Sequence, residues 1–386
     1  MARLVVFGGW FGSGNIGDDA ILIGLRNALN EVIPDVEIVA ISSDPDQTRR
    51  VCGVEAVQLL SPLSGFRGRR PPLEAYYRAF RGADACVVSG GTPIYDYGHI
   101  SRGLHFGLPR ILGKRLFCFG IGAKPIRSKR GAAFLMFLLR RAELISVRDE
   151  PSRDELLRLG VDKQVTVTGD SALFLPPDEP ETGFRKLSDC GVDTSKPMAA
   201  FCPRALSSDY RRHYHEPLSW RQIAEVRRVI ARVADRLSGE GYEVVFVPMH
   251  CAPYDDDLQE IRAITGLMRG RSPGMVDAGM LPGEAMAVLG RMGLVFGLRL
   301  HSLIMAAVQG VPVVGVGYDP KIRGFMELVG LGNLVCGMED PDEAYFERVE
   351  LALDGGGRLG RRLARSCEDV RGKILDEARR LGALLG

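Results

Sequence analysis

Short apolar runs recur along the chain, and most end in a glycine-rich or polar turn that leads into residues with helical apolar spacing. In the first half the runs are Leu4–Phe7, Val36–Ile41, Ala85–Ser89, Leu116–Phe119, Leu144–Val147 and Val165–Thr168. Runs that are apolar throughout, with no alternation, predict strands buried on both faces, as in a parallel sheet. Behind the first run, Ile21, Leu22, Leu25, Ala28 and Leu29 keep helical spacing. Leu73–Phe80 and Arg153–Leu159 are further helices, the second with Asp149 or Ser152 as cap and Gly160 as stop. The pattern restarts in the second half, with strands at Met198–Phe201, Glu243–Val247, Leu294–Phe296 and Val311–Val316. Helices are predicted there at Ser219–Leu237, Gly283–Leu289 and Leu303–Val308, and a closing helix at Gly360–Leu384. Alternation of this kind predicts an α/β fold of doubly wound parallel sheets.

The two halves are separated by Leu175–Gly183, rich in proline and acids, which reads as an interdomain linker. With 386 residues the chain is too long for one ordinary core. The expected division is an N-terminal Rossmann-like domain over 1–175, a linker over 176–195, a C-terminal Rossmann-like domain over 196–356, and a helix over 357–386 that crosses back toward the first domain.

Composition narrows the function. The chain is 46% hydrophobic and 25% charged, a globular profile, and its net charge of +2 argues against a general nucleic-acid binder. The eight cysteines form no C-x-x-C pair and read as free buried thiols of a reducing cytoplasm. No signal peptide and no run long enough to span a bilayer is evident. Arg67-Gly68-Arg69-Arg70, and the apolar Ala132–Leu139 with its flanking Lys124–Arg141 cations, are expected to give at most a loose contact with an anionic membrane. A metal site is not expected: His213-Tyr214-His215 has no third ligand nearby, and Asp255-Asp256-Asp257 also reads as a solvated helix start.

The turns carry the candidate chemistry. Gly12, Gly14 and Gly17 satisfy G-x-G-x-x-G, but Gly8–Phe11 intervene after the strand, and Asp18 and Asp19 would repel a pyrophosphate at the helix start. A glycine loop opening a helix still suits a sugar or phosphate meeting backbone N–H groups. Ser89-Gly90-Gly91-Thr92 forms a second such loop. Arg148, Arg204, Arg299, His301 and Lys321 fall at predicted strand ends, where open α/β sheets bind ligands. Arginine suits bidentate contact with carboxylate or phosphate, lysine supplies a point charge, and histidine exchanges a proton near neutral pH. The set suits a small, densely anionic substrate.

Taken in order, Gly12–Ala20 (GSGNIGDDA), Ser89–Thr92 (SGGT), Gly120–Pro125 (GIGAKP), Ser146–Asp149 (SVRD), Thr168–Ala172 (TGDSA), Cys202–Arg204 (CPR), Arg299–Ser302 (RLHS) and Tyr318–Lys321 (YDPK) resemble the polysaccharide pyruvyl transferase family. The resemblance covers nearly the whole length and is nearest to the CsaB-like branch, which modifies secondary cell-wall polymers. It implies two Rossmann-like domains facing a cleft, similar to the GT-B glycosyltransferase fold. It implies transfer of pyruvate from phosphoenolpyruvate to two hydroxyls of one sugar, giving a cyclic ketal and phosphate without a cofactor. By the same resemblance Arg299 and the main chain at Leu300 would hold phosphoenolpyruvate, His301 would be the acid/base, and Arg148 and Lys321 would lie around that site. Arg204 joins them by its strand-end position, and Gly14, Asn15, Asp18, Gly90 and Gly91 are the candidate acceptor-side residues. The partners implied are phosphoenolpyruvate and a sugar acceptor carried on a lipid, with no nucleic acid, and the protein is expected in the cytoplasm at the inner face of the membrane. Two alternatives share the fold: a glycosyltransferase using a nucleotide-sugar, and a non-catalytic carbohydrate-binding or assembly protein. The first lacks the glutamate pair eight residues apart, between Glu284 and Asp340, that retaining members use, and the second does not account for the Arg299–His301 pair. An NAD dehydrogenase is a more distant reading.

Overall fold

The computed structural model describes residues 2–60, 73–95, 99–206, 218–252 and 255–386, with backbone alone for 99–104. Arg67–Arg70, His213 and His215, for which the sequence raises expectations, lie outside the described residues. The chain divides into two units: Met1–Leu175 with Val370–Gly386, and Pro176–Asp369.

The first unit is built on seven strands, β1 (Arg3–Phe7), β2 (Glu37–Ser42), β3 (Glu55–Gln58), β4 (Ala85–Val88), β5 (Arg115–Ile121), β6 (Ala142–Val147) and β7 (Val165–Val167). They form one sheet in the order β3-β2-β1-β4-β5-β6-β7, every pair parallel. The direction of strand order reverses between β1 and β4, so their carboxyl ends flank the crevice where such sheets take ligands. The helices are α1 (Ile16–Asn30), α2 (Pro45–Cys52), α3 (Leu73–Gly82), α4 (His99–Ile111), α5 (Lys129–Leu139) and α6 (Glu150–Arg158). Several starts carry their own signal: Asn15, Asp44, Ser128 and Asp149 each accept a first-turn backbone N–H through the side chain. One core cluster holds Phe7, Val88 and Cys118 from the sheet with Tyr76, Phe80, Phe106, Leu135 and Leu138 from α3, α4 and α5.

The second unit repeats the plan. It contains α7 (Pro180–Asp189), β8 (Met198–Cys202), α8 (Trp220–Gly239), β9 (Glu243–Phe246), β10 (Cys251–Ala252), β11 (Asp255–Asp256), α9 (Asp257–Thr265), β12 (Gly274–Met275), α10 (Pro282–Leu289), β13 (Leu294–Gly297), α11 (Leu300–Val308), β14 (Val313–Val316), α12 (Pro320–Leu328) and β15 (Val335–Cys336). Six of these strands make a parallel sheet in the order β12-β9-β8-β13-β14-β15. Its reversal lies between β8 and β13, and the loops after them carry Arg204 and Arg299. The last helix, α13 (Asp342–Leu385), is kinked at Gly356 and continues into the first unit. There Val370, Ile374, Ala378 and Leu381 are buried.

Two expectations need correcting. The stretch 176–195 is no bare linker: it contains α7, whose Gly183 lies against the Ala287 carbonyl of α10, so it is part of the second unit. Helix α11 starts at Leu300, so His301 stands in its first turn and not in the preceding loop. The thiols also differ: Cys190 is half-buried and Cys251 exposed, while the other six are buried.

Glycine marks where backbones meet. A Cβ on Gly24 of α1 would run into the carbonyl of Ser171, in the 3-10 turn Ser171–Phe174, whereas a Cβ on the exposed Gly372 of α13 meets nothing within 4 Å. Gly24→Ala is therefore expected to lower unfolding free energy by about 1–3 kcal/mol through overpacking. Gly372→Ala should raise it by about 0.5–1 kcal/mol through helix propensity. Denaturant midpoints of the two variants check both signs.

Candidate active site

In the second unit, β8 ends in Cys202-Pro203-Arg204 and β13 in Gly297-Leu298-Arg299. Leu298 N–H donates to the Cys202 carbonyl at 3.0 Å, which ties the two loops together at the switch point. Arg299 is the N-cap residue of α11, but its side chain does not cap the helix. The Ser302 hydroxyl donates back to the Arg299 carbonyl at 2.7 Å.

The Arg299 guanidinium is buried and turned onto two carboxylates. Its Nε donates to Asp257 at 3.0 and 3.1 Å, its Nη1 to Asp255 at 3.1 Å, and its Nη2 to Asp255 at 2.9 Å and Asp257 at 2.5 Å. Asp257 is fully buried and also accepts the backbone N–H groups of Met249 and His250, each at 3.0 Å. Asp255 accepts from Arg204 Nη2 at 3.4 Å and pairs with His250 Nδ1 at 3.0 Å. Burial works against charge on Asp255, yet Arg299, His250 and Arg204 hold its carboxyl far below the ordinary aspartate range. Burial pushes the Asp257 carboxyl up, with Arg299 pulling against it. Burial opposes charge on Arg299 as well, but Asp257 and Asp255 hold it more firmly protonated than an ordinary arginine.

The other cations gather on Tyr318. Arg204 Nη1 donates to the Tyr318 hydroxyl at 2.9 Å, with its guanidinium 5.6 Å from the ring centroid. Lys321 Nζ lies 5.9 Å from the same centroid, and its backbone N–H is held by the cap residue Asp319 at 3.2 Å. The ends of β8, β13 and β14 thus bring Arg204, Arg299, Tyr318 and Lys321 together, with half-buried His301 in the turn of helix that follows Arg299. The expectation that the Arg299 fork is open to an anion meets a fork already engaged by two aspartates. Sequence reading missed Asp255, Asp257, His250 and Tyr318. The run Asp255–Asp257 was visible, but its partner Arg299 is 42 residues from Asp257.

The first unit has its own cluster at the β1/β4 switch point. Asp18, buried in the first turn of α1, accepts from Trp10 N–H at 3.1 Å and Asn15 Nδ2 at 2.7 Å, and Gly91 N–H lies at 3.5 Å. Asp19 accepts from Gly12 N–H at 3.1 Å. These carboxylates occupy loop N–H groups that a pyrophosphate would use, which is why the G-x-G-x-x-G spacing here does not make a dinucleotide cradle. Gly8 and Gly90 have φ of +111° and +116°, and a Cβ on Gly90 would strike the backbone of Gly9, so the two glycine loops pack main chain on main chain. At Gly14 a Cβ would meet nothing within 4 Å. Arg148 is buried at the end of β6, its Nε donating to Asp149 at 3.1 Å and its Nη2 to Thr92 at 3.1 Å, with Asp170 3.8 Å from Nη1.

A depressed carboxyl stabilises the fold at pH above its unfolded value and loses that contribution as pH falls toward the folded value. Asp255 is such a group, so its contribution is full above about pH 4, the ordinary aspartate range, and is lost below. Asp255→Asn should be less stable than the native chain at neutral pH, with the gap narrowing as pH drops below that value. A gap constant across acid and neutral pH in denaturant titrations would contradict the ion-pair account.

Residues 15–320 match the profile of the family described as polysaccharide pyruvyl transferase. The chain is 21% identical over 399 residues to the amylovoran biosynthesis protein AmsJ of Erwinia amylovora, covering 93% of this chain and 94% of that protein. Solved structures share the fold at low identity. HepE of Anabaena, in complex with UDP and glucose, is 12% identical with a TM-score of 0.61, over 100% of this chain and 99% of that one. UDP-GlcNAc 2-epimerase of Methanocaldococcus jannaschii is 14% identical with a TM-score of 0.58, over 95% and 99%. ADP-heptose heptosyltransferase II of E. coli is 15% identical with a TM-score of 0.52, over 92% and 98%. The two parallel sheets are therefore those of the GT-B type, and the matched span carries every motif from Asn15 to Pro320, including Arg148, Arg204, Arg299 and His301. The chain belongs to the polysaccharide pyruvyl transferase family.

Proposed function

We propose that the protein transfers pyruvate from phosphoenolpyruvate to two hydroxyls of one sugar in a polysaccharide precursor, forming a cyclic ketal and releasing phosphate. The observation that carries this reading is the convergence of Arg204, Tyr318, Lys321 and the first turn of α11 at one strand-end cluster, in a chain of this family. Phosphoenolpyruvate bears a phosphate and a carboxylate, and desolvating both takes several fixed cations and N–H donors. Arg204 and Lys321 supply positive charge, and the main-chain N–H groups of Leu300 and His301 lie at the positive end of α11. Arg299 acts as a positioning residue, holding the start of α11 through Asp255 and Asp257. In the first unit, Gly14, Asn15, Asp18, Gly90, Gly91 and Arg148 are assigned to the acceptor side, and AmsJ, named for amylovoran biosynthesis, supports an exopolysaccharide or cell-wall acceptor.

In the proposed chemistry His301, as the acid, delivers a proton to the methylene carbon of phosphoenolpyruvate. C2 becomes an oxocarbenium centre, one sugar hydroxyl adds to it, and its proton returns to the imidazole. The C2–O bond to phosphate then breaks, phosphate leaves with the bonding pair, and the second hydroxyl closes the ring, its proton passing to the departing phosphate. Substrates and products balance as phosphoenolpyruvate plus diol giving ketal plus phosphate, with no net redox change and no step that calls for a metal. The acceptor is proposed to be lipid-linked and the protein to work at the inner face of the cell membrane. Among the described residues no helix is long and apolar enough to cross a membrane.

The test is incubation with phosphoenolpyruvate and a panel of lipid- or nucleotide-linked sugars. The reading requires phosphate release coupled to an acceptor mass gain of one pyruvate less one water. Nucleotide release from a nucleotide-sugar, with phosphoenolpyruvate untouched, would overturn it.

Variants separate the roles. His301→Asn should lower kcat by ~10²–10⁴-fold, the usual worth of a general acid–base group, with the melting temperature and the apparent KM for phosphoenolpyruvate little changed. Arg204→Gln should chiefly raise that KM, about tenfold to a hundredfold for one lost charge-assisted bond of roughly 1.5–3 kcal/mol. Arg299→Lys keeps the charge but loses the fork, so melting temperature, KM and kcat should all worsen together. If Arg299→Lys raises KM alone and keeps its stability, the guanidinium holds substrate and not the loop.

A further inference from the structure

We infer that the outer face of α4 and α5 docks the protein on an anionic lipid bilayer. From residue 97 to residue 142 there is no aspartate or glutamate, against ten lysines and arginines. The whole chain carries a net +2, so the segment's +10 stands against −8 for all other residues. Charge this segregated is not a general solvating surface; it selects a partner of opposite sign.

The face is not only charged. On α5 the buried positions are Gly131, Leu135, Leu138 and Leu139, while Lys129, Arg130, Phe137, Arg140 and Arg141 point outward and are exposed. Phe137 is 48% exposed, between cations at both ends of the helix, and Ile111 at the end of α4 is 80% exposed. Arg110 joins the two helices: its guanidinium lies 3.9 Å from the Phe137 ring centroid. Lys129 and Arg130 sit in the first turn of α5 with no acid beside them, where the helix dipole disfavours cations. Stability alone does not account for that placement. Large apolar side chains standing among cations, on a helix whose inner face is packed on a sheet, match an interfacial helix that inserts shallowly and pairs with anionic headgroups.

Other partners fit less well. A second copy using the same face would set Lys129, Arg130, Arg140 and Arg141 against the same cations. A nucleic acid would satisfy the cations but leave Ile111 and Phe137 in water. The inference deepens the proposed function by placing the enzyme where a lipid-linked acceptor is found, yet it is read without any turnover.

The experiment is co-sedimentation of the full chain with phosphatidylcholine vesicles, with or without one-third phosphatidylglycerol, and no substrate present. Binding is expected to the anionic vesicles and to be weaker by tenfold or more to the neutral ones. Each cation near such a surface is worth roughly fivefold in partition at low salt, so Arg130→Gln/Arg140→Gln/Arg141→Gln should weaken binding by ~100-fold. Phe137→Ser should weaken the binding that survives high salt. All four side chains are exposed, so melting temperatures should stay near native, and turnover on a water-soluble acceptor should be unchanged. No binding, equal binding to both vesicles, full binding by the triple variant, or preference for a short DNA duplex over vesicles would each overturn the inference. None of these outcomes depends on whether pyruvyl transfer is the reaction.

Discussion

One buried ion-pair cluster sets the geometry of the second unit's strand ends. Arg299 reaches both Asp255 and Asp257, and each carboxylate reaches further, to His250, Arg204 and the backbone N–H groups of Met249 and His250. Removing charged groups from water is expensive, and a pair repays that cost only when every lone pair and proton finds a partner. Here Asp257 accepts four separate N–H groups and Arg299 donates from all three of its nitrogens. The cluster thus fastens the start of α11 to the β11–α9 turn, and His301, two residues from Arg299, inherits a fixed position. Breaking such an arrangement from one side costs more than the arrangement contributes, because the other charges stay buried.

Fixing Arg299 in this way divides the work among the cations. A guanidinium held by two carboxylates is charge-compensated and has little left to offer an anion. Arg204 donates to the Tyr318 hydroxyl at 2.9 Å and to Asp255 at 3.4 Å, and Lys321 lies over the same ring. Tyr318 lies against both cations, and its ring face attracts each of them. The first unit is tied in a similar way: Asp18 and Asp19 accept N–H groups of the glycine loop that leads into their own helix.

Much of the fold was legible because a parallel sheet buried on both faces writes itself as uninterrupted apolar runs. β4, β8, β13 and β14 are buried at every position, and each was read from its run. Helix α11 was placed three residues late because Arg299 is no capping residue and Leu300-His301-Ser302 carries no start signal of its own. Over 176–195, Pro176, Pro177 and Pro180 suggest a break, yet proline at a first-turn position suits a helix start, and Pro180 opens α7. For the site, residue type and strand-end position were enough to collect Arg204, Arg299, His301 and Lys321. They could not say which cation is spent on structure. That depends on the acids that face it, and Asp255 and Asp257 come from a turn more than forty residues earlier in the chain.

The central claim is that Arg299 holds the site while Arg204, Lys321 and the start of α11 hold the substrate. A crystal structure with phosphoenolpyruvate and no acceptor tests it directly. Arg299 is expected still on Asp255 and Asp257, with the ligand's phosphate or carboxylate within hydrogen-bond distance of Arg204, Lys321 and the Leu300 or His301 N–H. An Arg299 guanidinium swung off both aspartates onto the ligand, with Arg204 and Lys321 remote from it, would contradict the account.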